Sequence, residues 1–242
     1  MRNLQFAQGE HYHVYNRGVD KRVIFKDARD FERFLLSMTD FNSIEPIGSI
    51  YEYSFLKNES KKRENPQLGN LVSKSGHKKR KQENKPLVEF IAYCLNKNHF
   101  HFILKQMEEK GIEKFMHRLG VGFTKYFNLR YKRTGALFQG TFKAVHVESN
   151  EQLLYLSVYV NLNNKIHGHK DNHFVSSWTE YRNESNRNIC NKKIILEQFK
   201  NPLSFCKDFE SMAQEIKKRR YADDSLAFIE PHLETKFPSG VQ

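Results

Sequence analysis

Asn98-His99-Phe100-His101-Phe102-Ile103-Leu104 is the stretch whose reading decides the fold. Apolar and polar residues alternate through most of it, which is the period of a β-strand with one face buried. His99 and His101 then project from one face, and Phe100 and Phe102 from the other. Two imidazoles about 7 Å apart on a rigid backbone form a natural pair of ligands for one divalent cation. The same spacing suits two ordinary histidines on a half-exposed strand. It also recurs at His11 and His13, so spacing alone does not discriminate.

Working outward, residues 87–95 form a second apolar run. Asn96-Lys97 is read as a tight turn, so the two strands make a hairpin. Upstream, residues 11–18 read as a strand closed by Gly18. Residues 27–41 read as a helix, with Phe31, Phe34, Leu35, Met38 and Phe41 on one stripe and Asp27 as its cap. Downstream, residues 111–131 carry the longest helical pattern, in which Gly120 and Gly122 suit close packing. A strand is expected over 142–147. Ser149 and Gln152 make a capping box that opens a helix over 150–165. The order strand, helix, strand, strand, helix, strand predicts an α+β, ferredoxin-like antiparallel sheet with helices on one face. A C-terminal helical extension follows, with amphipathic pieces near 194–199 and 209–216. The expected division is a domain over 1–167 and the extension over 168–242.

Residues 44–86 break the pattern. Ten Lys and Arg lie between Lys57 and Lys85, against Glu59, Glu64 and Glu83. This reads as a basic, disordered insertion. Over 242 residues the formal net charge is +12, which favours a polyanionic partner, nucleic acid first. No apolar run is long enough to span a membrane, and Met1 to Phe6 lack a signal-peptide core. Cys94, Cys190 and Cys206 form neither a disulfide framework nor a zinc pattern, so a reducing cytoplasm is expected.

Tyr155, Tyr159 and Asn163 recur every four residues along the last helix of the domain and share one face. A phenol is a weak nucleophile at neutral pH unless the group it attacks is polarised. At this point the motifs resemble a known family. His99-Phe100-His101 is similar to the HUH motif of single-tyrosine transposases, above all the REP-associated tyrosine transposases. His13 to Gly18 resembles their first strand, and Ala92 to His101 their hairpin. Arg133-Thr134-Gly135 with Phe138-Gln139-Gly140 resembles their loop after the long helix, and Tyr159 to Asn163 their catalytic helix. The likeness covers about residues 10–182, outside the insertion. Asn164 stands where the family commonly has proline.

The resemblance implies that Tyr159 is the nucleophile and that His99, His101 and Asn163 bind Mg²⁺ or Mn²⁺. It implies an enzyme that cuts and rejoins single-stranded, hairpin-flanked DNA through a 5′-phosphotyrosine. His11 and His13 fall outside the motif and are read as structural. Arg17, Arg130, Lys132, Arg133, Gln139 and Lys143 are the candidate DNA contacts. Relatives that dimerise donate the tyrosine helix to the partner, so a homodimer is left open. The competing reading is a catalytically silent module that binds single-stranded DNA or RNA.

Overall fold

The hairpin is the centre of the sheet. In the computed structural model of the protein, residues 4–47, 85–168, 174–199 and 201–222 are described. Strand β2 (Val88–Asn96) runs into β3 (His99–Gln106), and β3 pairs on its other side with β1 (His11–Arg17). β4 (Lys143–His146) pairs with β1, and β5 (Phe174–Ser176) with β2. The order is β4-β1-β3-β2-β5, all antiparallel. The first four strands have the expected ferredoxin-like order. β5 is an addition that three residues were too short to announce.

Two helices cover the face that bears Phe100 and Phe102. Asp27 caps α1 (Ala28–Asp40), its carboxylate accepting from the backbone N–H of Arg29 and Asp30. α2 (Gly111–Arg130) packs beside it. Phe31, Phe34, Met38, Phe115, Leu119 and Phe123 close the core between them and the sheet. Of the two glycines in the helix interior, Gly120 and Gly122, one is used for packing. A Cβ at Gly122 would lie 2.5 Å from the Phe41 ring, whereas one at Gly120 would meet nothing within 4 Å.

The opposite face carries the later helices: α3 (Asn150–Asn161), the single turns α4 (Asn163–Ile166), α5 (Trp178–Tyr181) and α6 (Lys193–Leu196), and the long α7 (Pro202–Ala222). Trp178, Tyr181, Phe205 and Phe209 stack there with Leu156, Val160 and Ile103 of the sheet. The chain beyond Gly168 therefore shares a core with α3. Glu180 anchors it from inside, accepting from the Tyr93 hydroxyl at 2.7 Å and from the backbone N–H of Ile189 and Cys190. Burial, then the charge of Glu180, raises the Tyr93 hydroxyl pKa, so it stays a donor.

The basic stretch read over 44–86 lies largely outside the described residues. Its two flanks meet. The Asn42 side chain donates to Val88 O and accepts from Val88 N, and Ile44 N donates to Lys85 O. Arg118 holds the Ser43 and Ile44 carbonyls. Among the described residues no helix is long and apolar enough to cross a membrane.

Candidate active site

Two departures from the expected elements build the site. The hairpin turn is Lys97-Asn98, not Asn96-Lys97, and Asn96 pairs directly opposite His99. An Asn-Lys and a Lys-Asn dipeptide suit a tight turn about equally, so composition could not set the register. The helix expected over 150–165 breaks at Leu162 (φ −111°, ψ 22°). Its carbonyl at Asn161 accepts instead from the Ser176 hydroxyl of β5 at 2.9 Å, and Asn163 starts a new turn.

The register places Asn96 between two of the proposed ligands. Its Nδ2 lies 2.9 Å from His99 Nε2 and 2.9 Å from Asn163 Oδ1. The orientation of this amide is held from its other end. Burial pushes the Cys94 thiol up to about 12, so the S–H is intact and donates to Asn96 Oδ1 at 3.6 Å. With Asn96 donating to Nε2, the His99 proton sits on Nδ1, which is 2.7 Å from Asn98 Oδ1. One imidazole lone pair and one amide oxygen thus converge on the two N–H groups of a single amide.

His101 completes the group. Its ring centroid is 5.1 Å from that of His99 and 5.8 Å from that of Tyr159, both edge-on. Its Nδ1 is 3.0 Å from Nε2 of His13. His13 is fully buried, and desolvation holds its pKa down at about 4. It is therefore neutral, and its Nε2 can accept a proton-bearing Nδ1 of His101. His13, read as structural, touches the site through His101. His11 lies at the far end of β1, its pKa also lowered by burial.

Tyr159 is buried and stands in the same chain as the histidines it faces. Its hydroxyl is 3.1 Å from Nε2 of His167. Tyr155, one turn earlier, belongs to the rim of the second core.

The candidate DNA contacts separate into two groups. Arg17 and Lys143 lie on the histidine face of the sheet. Arg17 Nε donates to the side chain of Gln139, and Lys143 Nζ sits 5.8 Å above the Tyr15 ring. Tyr15 stacks in turn on His101. Lys132 is exposed at a left-handed backbone position. Arg133 holds the loop shape through Asn128 Oδ1 and Ala136 O. Arg130 does not project for a phosphate. It pairs with Asp27 and with the buried Asp30 at 2.7 Å, pinning α2 to α1. Sequence reasoning missed Asn96, Asn98, His13 and His167. The first two adjoin the histidine motif, and their polarity in an apolar hairpin was the available signal.

Residues 51–163 match the family described as transposase IS200 like. The match covers a little under half of the chain. The span takes in His99, His101 and Tyr159, ends on Asn163, and leaves out β1 with His13. Two solved structures are similar at a distance. One is a REP-associated tyrosine transposase bound to a REP hairpin, at 12% identity over 78% of this chain and 88% of that one, with a TM-score of 0.44. The other is tRNA(His) guanylyltransferase from Saccharomyces cerevisiae, at 12% identity over 89% of this chain and 79% of that one, with a TM-score of 0.27. Likenesses this remote show neither site nor activity. No curated protein matches the chain.

Proposed function

We propose that the chain is an IS200-like transposase that cleaves and rejoins single-stranded, hairpin-flanked DNA, with Tyr159 as the nucleophile and a divalent cation held by His99, His101 and Asn163. The observation that carries the reading is the convergence of His99 Nε2 and Asn163 Oδ1 on one point, with His101 and the Tyr159 ring beside it. The family match over residues 51–163 supports it.

The donor set fits the cation. Mg²⁺ and Mn²⁺ accept imidazole nitrogen and amide oxygen together, and a site with few protein ligands keeps room for a phosphate. Among the described residues no cluster of three His, Cys, Asp or Glu competes for it. When bound, such an ion supplies Lewis acidity at the scissile phosphate. The chain's own residues prepare the ligands. Asn98 accepts from His99 Nδ1, leaving the Nε2 lone pair directed inward. With His13 accepting from His101 Nδ1, the lone pair of His101 would sit on its other nitrogen, the one proposed for coordination. The Asn163 Nδ2 is buried without a hydrogen-bond partner, and a phosphate oxygen or water would satisfy it.

The phosphodiester bond is exchanged for a phosphotyrosine of similar energy, so no nucleotide is consumed. Arg17, Gln139 and Lys143 line the strand's approach on the same face, and charge steers the DNA there. The test is direct. With labelled hairpin DNA and Mn²⁺, the parent forms an adduct that survives denaturation, and Tyr159→Phe forms none. An adduct of equal yield in the variant would overturn the assignment.

A further inference from the structure

We propose that His167 takes the proton of the Tyr159 hydroxyl during strand cleavage and returns it during rejoining. The inference rests on the transposase reading of Tyr159. The contact is Oη to Nε2 at 3.1 Å, with ring centroids 5.9 Å apart and planes at 72°. With the His167 proton on Nδ1, the hydroxyl donates to the Nε2 lone pair.

The contact exists because the helix is broken. In a continuous α-helix a residue eight positions on lies about 12 Å further along the axis, out of reach of the phenol. The break at Leu162 starts a new turn at Asn163, and His167 N then donates to Asn163 O at 3.0 Å. That turn brings the imidazole back against Tyr159. His101 also borders the phenol, but its Nδ1 faces His13 and its other nitrogen is the proposed ligand. His167 is the imidazole at the phenol that carries no other assignment in the mechanism.

The step balances. In cleavage the Oη–P bond forms as the P–O3′ bond breaks. The phenolic proton passes to Nε2 of His167, and the departing 3′-oxygen takes a proton from water. In rejoining the 3′-hydroxyl attacks and gives its proton to water, the Oη–P bond breaks, and Nε2–H protonates the departing phenolate.

The experiment measures single-turnover adduct formation by the full chain on labelled hairpin DNA at saturating Mn²⁺. His167→Ala is expected to slow it about 10²-fold, the usual worth of a positioned base, with part of the rate recovered by added imidazole. His167→Gln can accept the phenol's hydrogen bond but not its proton, and is expected to be as slow as the alanine variant. Hairpin and Mn²⁺ affinities should match the parent's in both, which shows the site intact. A glutamine variant as fast as the parent, or an alanine variant that imidazole does not rescue, would reduce His167 to a support for the tyrosine and overturn the proposal. If the parent itself forms no Tyr159 adduct, the transposase reading fails and this inference falls with it. A normal parent beside an equally fast His167→Ala sinks this inference alone.

Discussion

Asn96 holds the site's two inward-facing acceptors in place without a metal. Its two N–H groups satisfy His99 Nε2 and Asn163 Oδ1, and the Cys94 thiol fixes which end of the amide faces them. In the proposed function a cation would take the place of this amide donor, so the two would compete. Asn96→Ala removes the amide that both acceptors share, at a cost of about 1–3 kcal/mol, and with it the competitor. The metal-free variant should melt below the parent, and saturating Mn²⁺ should raise its melting temperature by more than it raises the parent's. Thermal melts with and without Mn²⁺ decide this. A smaller Mn²⁺ shift in the variant would show that Asn96 itself helps to hold the ion.

The elements show how one residue type can have opposite uses within a single turn. In α2 the Cβ of an alanine at position 122 would collide with the Phe41 ring, and at position 120 it would meet open space. Gly122→Ala should destabilise by about 1–3 kcal/mol through forced repacking. Gly120→Ala should stabilise by up to about 1 kcal/mol, because glycine costs a helix that much relative to alanine. Urea midpoints of the two single variants test the pair, and a shift of the same sign in both would refute the packing described for α2. The break between α3 and α4 has an equally definite cause. The Ser176 hydroxyl occupies the Asn161 carbonyl that a continuous helix would need for Lys165 N–H, and the position of His167 follows from it.

Across the whole molecule the sheet separates two jobs. The face with α1 and α2 is a phenylalanine core. The other carries the histidines, Tyr159 and the C-terminal helices. The basic stretch leaves and re-enters at one clasp made by Asn42, Val88, Ile44 and Lys85. Loop closure is thus secured by the domain, and the length between its ends matters little to stability. Replacing residues 48–84 with a short Gly/Ser linker should leave the melting temperature within a few degrees. It should also flatten the dependence of hairpin affinity on salt, since each phosphate contact to a single strand contributes about −0.7 to that slope. Titrations at several salt concentrations measure the effect; an unchanged slope would mean that those lysines and arginines do not meet the DNA.

Local pattern was enough for most of the frame. The two-residue alternation at 98–104, the apolar stripe behind Asp27 and the cap at Ser149 each lie within a few residues, and each became the expected element. The proposed site residues His99, His101, Tyr159 and Asn163 could be named from motifs alone. What surrounds them could not. His13 meets His101 across 88 residues, Ser176 meets Asn161 across a break, and Asn96 enters the site only because the turn is Lys97-Asn98, a register that composition leaves open. Strand and helix periods are written into neighbouring residues, whereas register, helix breaks and shared protons are settled by hydrogen bonds between distant segments, and only the folded chain brings those donors and acceptors within 3 Å.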